Sequence, residues 1–206
     1  MFNVAVILGA GNGTRMGIEK SKMLIDIGGK PVIQRSVEAF LDLPQVDEII
    51  VVCRECDVEA FSDILESEKV SFVIGGATRQ ESVKNAVVMI DECDYIIIHD
   101  GARPLVTQKA IINTYDKAVA CGAAATRVQV KDTIKVVDDK LLITDTPDRS
   151  SLISIQTPQI FNFGLYKKAI AQAEKEGRDY TDDCQLVENI GQKVYAVRGD
   201  YDNIKI

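Results

Sequence analysis

The sequence predicts an α/β fold with a largely parallel sheet covered by helices on both faces, and three observations carry that reading. Short apolar runs alternate with stretches of helical periodicity along nearly the whole chain, the pattern of strands joined by crossover helices. The first apolar run ends in a glycine-rich turn followed by basic residues. Residues 131–148 break the rhythm with two short β-type segments around a polar turn, an inserted hairpin.

In chain order, the strand candidates are 3–8, 48–53, 70–74, 94–99, 123–128 and 193–197. Pro31 suits the first turn of a helix, where its missing N–H is no loss, and Ile33, Val37, Phe40 and Leu41 follow on one side. Val58, Phe61 and Leu65 mark a second helix. Val83, Ala86, Val87 and Ile90 mark a third at the i, i+3, i+4, i+7 spacing of one helical face, and Ile111, Tyr115, Ala118 and Val119 mark a fourth. In the hairpin, Thr133–Val137 and Leu141–Thr144 flank Asp138-Asp139-Lys140. With its apolar residues it reads either as a surface ornament or as an arm that grips another subunit. No repeat, low-complexity stretch or linker divides the chain, so one domain over residues 1–206 is expected.

At 206 residues and 46% hydrophobic content the chain has the means for a substantial core. No apolar run nears the ~20 residues of a membrane helix, and Met1 leads directly into a strand pattern without a secretory signal, so a cytoplasmic protein is expected. A net charge of −7 argues against general nucleic-acid binding. Local groups of cations (Arg15, Lys20 and Lys22; Arg79 and Lys84; Arg103; Lys205) still allow positive potential to be focused at one place. The five cysteines include Cys53-Arg54-Glu55-Cys56. A zinc site needs about four ligands; with one histidine and no second cysteine pair, these read as two unrelated thiols, and no protein metal site is expected.

The run Val4 to Leu8 ends in Gly9, Gly11 and Gly13, followed by Arg15, Lys20 and Lys22. Glycines at alternate positions let backbone N–H groups converge on one point, a concave donor set that binds anions. The spacing excludes two familiar phosphate loops. Gly13 is followed by Thr14 and Arg15 rather than Lys-Ser/Thr, and Thr14 stands where a dinucleotide fingerprint needs its last glycine. Gly75 follows strand 70–74 and Asp100 follows strand 94–99, so three motifs meet beyond the carboxyl ends of strands, where open α/β sheets bind ligands.

Five segments appear in order: the Gly-Asn-Gly-Thr-Arg-Met-Gly loop, Gly75–Val83, His99–Pro104, Gln156-Thr157-Pro158-Gln159 and Asp202–Ile206. Together they resemble the 2-C-methyl-D-erythritol 4-phosphate cytidylyltransferase family, among the nucleotidyltransferases that activate sugar or polyol phosphates. The resemblance spans essentially the whole chain and implies a Rossmann-like fold. It implies that CTP and 2-C-methyl-D-erythritol 4-phosphate react to CDP-methylerythritol and pyrophosphate, in non-mevalonate isoprenoid biosynthesis. Catalytic roles carry over to Arg15, Lys22, Arg149 and Lys205, the first two as transition-state cations. Ala10, Gly11, Gly13, Gly76, Arg79 and Ser82 fall on the nucleotide side. Asp100, Arg103, Thr133, Thr157 and Thr181 fall on the substrate side, with Arg149 and Lys205 beside them. A homodimer through the hairpin arm is implied, with Mg²⁺ held mainly by the nucleotide phosphates.

Other readings of single residues stay open. Ser82 is equally a residue that caps its own helix, and Thr181 an N-cap. His99 reads as a structural residue at a strand end. Family members usually carry proline where Ser21 stands, so a less firmly held Lys22 is expected, and they continue past Lys205, whose ordering is therefore expected to be weak. Competing functions are a ribitol 5-phosphate cytidylyltransferase, a non-catalytic nucleotide-binding regulator and a nicotinamide-dependent oxidoreductase, the last disfavoured by the missing fingerprint.

Overall fold

The structure, a computed structural model, describes residues 1–11 and 21–206. Its strands are β1 (Asn3–Leu8), β2 (Glu48–Cys53), β3 (Val70–Ile74), β4 (Tyr95–Asp100), β5 (Ala123–Gln129), β6 (Val136–Val137), β7 (Ile143–Asp145), β8 (Ile153–Asn162) and β9 (Tyr195–Arg198). Among the described residues, seven of them form one sheet in the order β3-β2-β1-β4-β8-β5-β9, and β6 pairs with β7 as a separate ribbon. All sheet neighbours run parallel except at β8, which is antiparallel to both β4 and β5. The chain moves outward from β1 through β2 to β3 and then returns to place β4 on the other side of β1. That reversal opens a crevice at the carboxyl ends of β1 and β4.

Strand side chains alternate between two cores, as the pleat requires. Ala5, Ile7, Ile49, Val51 and Ile97 pack with α1 (Val32–Leu41), α2 (Val58–Ile64) and α4 (Gln108–Cys121). Val4, Val6, Ile50, Val52, Ile96 and Ile98 pack with α3 (Arg79–Val88), α5 (Phe163–Glu176) and α6 (Asp183–Glu188). Burial on both faces is why these strands read as unbroken apolar runs.

The six expected strands are present within a residue or two, as are the four expected helices. Pro31 takes the N-cap position of α1 rather than its first turn, with φ −57°. Two elements were not anticipated. α5 carries Tyr166, Ala169, Ile170 and Ala173 on its buried face, opens on Asn162, whose side chain accepts the Leu165 N–H, and ends at Gly177 with φ +61°. β8 lies inside the sheet although Gln156-Thr157-Pro158-Gln159 interrupts its apolar pattern, and proline is poorly tolerated in an inner strand. The structure accommodates it at an irregularity: the β5 register passes from Ala125↔Gln159 to Arg127↔Ile155, and Pro158 falls in the bulge between. The Pro158 carbonyl there accepts the Thr126 hydroxyl at 3.1 Å.

The expected hairpin is present, with register Val136↔Asp145 and Val137↔Ile143. Asp138 Oδ1 accepts the N–H groups of Lys140 and Leu142, each at 2.9 Å, which closes its turn. Ile134, Val136, Val137, Leu141, Leu142 and Ile143 are 42–80% exposed along it.

Candidate active site

Three of the loops leaving the parallel strands, those after β1, β3 and β4, are tied to the adjacent strand by their first residue. Gly9 N–H donates to the Val52 carbonyl (2.7 Å), Gly75 N–H to Cys53 (2.9 Å) and Gly101 N–H to Leu8 (2.9 Å). The loops after β1 and β3 approach so closely that a Cβ on Gly75 would stand 2.5 Å from Ala10 Cβ. Ser82 Oγ accepts the Gly76 N–H at 3.0 Å, while the N-cap of α3 is Thr78, whose hydroxyl accepts the Glu81 N–H at 3.1 Å. Ser82 thus shapes the glycine loop, and the capping alternative belongs to Thr78.

Asp100 ends β4 at the mouth of the crevice and is largely buried. Its Oδ2 is 2.8 Å from Lys205 Nζ and 3.3 Å from Arg103 Nε; its Oδ1 is 3.8 Å from Arg79 Nε. Burial alone would raise the carboxyl, but Lys205 and Arg79 outweigh it and bring it down to about 2. Asp100 therefore stays ionised as an acceptor ringed by three cations.

Behind it, Thr157 is buried, and its Oγ1 accepts the Asp100 N–H at 3.0 Å and donates to His99 Nδ1 at 2.9 Å. His99 Nε2–H in turn reaches the Arg103 carbonyl at 3.2 Å. This network fixes the tautomer. Complete burial lowers His99 to about 4, the Asp100 charge opposing only part of the shift, so it is a neutral structural residue.

Lys205 is held in place. Asn203 is buried and donates from Nδ2 to Gln156 Oε1 (3.2 Å) and the Thr157 carbonyl (2.9 Å), and Ile206 N–H donates to Ala102 O (2.9 Å). Arg103 Nη1 donates to Asn203 O at 2.7 Å. The expectation of weak ordering gives way to this clasp, which follows from the polar glutamine and threonine of β8 facing the Asn203 turn. Lys22 opens the turn Lys22–Leu24, and its Nζ donates to Ile206 O at 2.8 Å. Ser21 has φ −55°, within the range proline enforces, and its hydroxyl accepts the Met23 N–H. Serine reproduces the backbone that proline would impose and adds a cap, so Lys22 is supported.

Gly13, Arg15 and Lys20 lie outside the described residues. Thr133 and Arg149 stand exposed at the two ends of the arm, Arg149 Nη1 donating to the Lys131 carbonyl at 2.8 Å. Among the described residues no hydrogen bond or ion pair joins either to the Asp100 cluster. Thr181 is exposed beside the N-cap of α6, and that cap is Asp182, which accepts the Gln185 N–H at 3.2 Å. Cys53 is buried at the end of β2 and pushed up to about 11, first by burial and then by Asp57; Cys56 is exposed.

The loops, the cation-ringed aspartate and the switch-point crevice have the form of a site for anionic ligands. The family model IspD: 2-C-methyl-D-erythritol 4-phosphate cytidylyltransferase matches residues 3–206. This chain belongs to the IspD family.

The 2-C-methyl-D-erythritol 4-phosphate cytidylyltransferase of Clostridium perfringens strain SM101 is 44% identical over 207 residues, covering 98% of this chain and 92% of that protein. The namesake from Caldanaerobacter subterraneus subsp. tengcongensis is 46% identical over 208 residues, with the same coverage of 98% and 92%. The crystal structure of 4-diphosphocytidyl-2C-methyl-D-erythritol synthase from Anaerococcus prevotii superimposes with a TM-score of 0.90 at 32% identity, covering 100% of this chain and 90% of that one. For this IspD-family chain the sequence reading missed Asn203 and Gln156 as the clasp behind Lys205, and Asp183 beside Arg79. Gln156 and Asn203 lie in the Gln156–Gln159 and Asp202–Ile206 segments, but their pairing across 47 positions has no sequence signal.

Proposed function

We propose that this chain transfers CMP from CTP to 2-C-methyl-D-erythritol 4-phosphate, working as a cytoplasmic homodimer in isoprenoid biosynthesis. The observation that carries the reading is the ionised Asp100 clasped by Lys205 and Arg103 at the strand ends, in a chain that matches its family from residue 3 to residue 206. A phosphate oxygen of the polyol phosphate attacks the α-phosphorus of CTP. The bond from that phosphorus to the oxygen bridging to the β-phosphate breaks, and pyrophosphate leaves. A phosphate monoester is largely dianionic at neutral pH and needs no base, which agrees with a buried, neutral His99.

The remaining task is to bring two anions together and stabilise charge at the α-phosphate. Arg15 and Lys22 do this, while Ala10, Gly11, Gly13, Gly76, Arg79 and Ser82 form the nucleotide side. Asp100 accepts substrate hydroxyls; Arg103 and Lys205 hold it in place and add positive charge, with Thr157 behind it, and Thr181 serves the same substrate. Among the described residues no group of three or more metal-ligating side chains stands together, and Asp100 Oδ1 has no donor within hydrogen-bond reach. That donor set fits a hydrated Mg²⁺ carried on the triphosphate and touched through water. When bound, the ion neutralises phosphate charge.

The exposed apolar arm supports the dimer: six large apolar side chains on one short ribbon need a partner surface. In a two-fold pair, Thr133 and Arg149 serve the partner's site. The test is to offer CTP with methylerythritol phosphate and with ribitol 5-phosphate and to measure pyrophosphate. Release confined to the first is expected; preference for the second, or none with either, overturns the proposal.

A further inference from the structure

Three helices meet beside Asp100 at one buried ion pair. Arg79 opens α3, Asp183 opens α6 and Tyr166 stands on α5. Tyr166 is fully buried, and Asp183 is 2% exposed. The Tyr166 hydroxyl donates to Asp183 Oδ1 over 2.6 Å, and Arg79 Nη1 lies 2.5 Å from Asp183 Oδ2. On its other side the same guanidinium holds Nε 3.8 Å from Asp100 Oδ1, beyond hydrogen-bond range.

A carboxylate buried as deeply as Asp183 requires a cation, and Arg79 is the one it receives among the described residues. The tyrosine occupies Oδ1 and leaves Oδ2 to the arginine. The guanidinium is therefore tethered at its Nη1 end. An untethered arginine beside a carboxylate settles into a two-bond fork, and at Asp100 that fork would cover Oδ1. Oδ2 is already taken by Lys205 and Arg103, so covering Oδ1 would leave the carboxylate with no open acceptor.

We propose that Asp183, fixed by the Tyr166 hydroxyl, is a positioning residue that holds the Arg79 guanidinium off Asp100, giving that carboxylate a neighbouring charge while keeping Oδ1 open to substrate. The inference rests on the reading of Asp100 as the acceptor for substrate hydroxyls. It assigns Arg79 a second duty beside the nucleotide.

Asp183→Asn keeps the shape and removes the tether. It is expected to raise KM for the polyol phosphate about tenfold, the worth of one lost hydrogen bond, and, because Arg79 also serves the nucleotide, KM for CTP rises with it. In an Arg79→Gln background the same substitution should add less than about twofold, because no guanidinium remains to fall onto Asp100. A merely structural role would instead multiply through both backgrounds, and that result overturns the proposal. A crystal structure of Asp183→Asn reads the geometry without any assay: Arg79 should lie within hydrogen-bond distance of Asp100 Oδ1, and an unmoved guanidinium also overturns it. If Asp183→Asn does not fold, Tyr166→Phe carries the same cycle and structure. Asp100→Asn with an unchanged polyol-phosphate KM would sink the reading of Asp100 while leaving the tether to be judged by the crystal structure alone.

Discussion

The Thr157 hydroxyl accepts the Asp100 backbone N–H at 3.0 Å, joining β8 to β4 past the point where their ladder has ended at Ile98 and Gln159. One side chain thereby replaces a sheet hydrogen bond and sets the position of the site carboxylate. Thr157→Val is isosteric and leaves that N–H and His99 Nδ1 buried without partners, at an expected loss of about 1–3 kcal/mol. Thr157→Ser, which keeps the hydroxyl, should lose much less. Urea unfolding of the two variants checks this, and equal losses would refute it.

Lys22→Ala and Arg15→Ala are each expected to lower turnover by on the order of 10²-fold with modest loss of CTP binding, since charge at the α-phosphate grows in the transition state. Steady-state kinetics with nucleotide titration measures both. Near wild-type turnover removes that residue from the catalytic set.

Stability should fall on acidification through His99. Its folded value is about 4 against an ordinary 6.5, so between those limits the unfolded chain binds a proton that the folded chain refuses. Stability is full above pH 6.5 and falls by about 3 kcal/mol as pH drops to 4. Asp100, depressed from 3.8 to about 2, contributes a further loss only below that window. Urea midpoints at pH 7 and 4.5 should separate more for the natural chain than for His99→Gln; equal separations would refute the assignment.

Gly75→Ala should disturb the nucleotide side more than the fold. Its new Cβ meets Ala10 Cβ at 2.5 Å and Ser82 Oγ at 3.1 Å, so the two loops must part. A rise of about tenfold in KM for CTP is expected, with 1–3 kcal/mol or so of destabilisation from overpacking. An unchanged KM would show that the close approach of the loops is not used.

The arm makes a separate demand. Lys22→Ala chains mixed with Arg149→Ala chains, each nearly inactive alone, should recover roughly a quarter of wild-type activity if sites are shared across a two-fold axis. Leu142→Asp should shift sedimentation toward the monomer. Activity that stays at the mutants' level after confirmed subunit exchange would refute the shared site.

Most of the sheet was legible because doubly buried strands leave continuous apolar runs such as Ile49–Cys53 and Ile96–Ile98. β8 was not, because a bulge let Pro158 into an inner strand and the Gln-Thr-Gln side chains around it serve as internal hydrogen-bonding groups. α5 did carry its signal in Tyr166, Ala169, Ile170 and Ala173, between Asn162 and Gly177; the spacing was there to be read. At the site, Arg79, Arg103, Thr157 and Lys205, each from a short motif, stand around Asp100. Asp183 and Tyr166 did not announce themselves, since an aspartate in a first helical turn and a tyrosine on an apolar face are unremarkable until the two helices pack.

The antiparallel strand of the seven-stranded sheet, β8, has a consequence for how this chain tolerates change. β5 runs out toward the crevice and β8 runs back from it, so residues 130–152 depart from and return to the same edge of the sheet, as in a hairpin. The excursion crosses no face and threads no helix. Its length and composition are thus topologically free: an arm could be shortened, extended or exchanged while every strand keeps its neighbours. Variation can accumulate there at the rim of the sheet, with the register of the core left untouched.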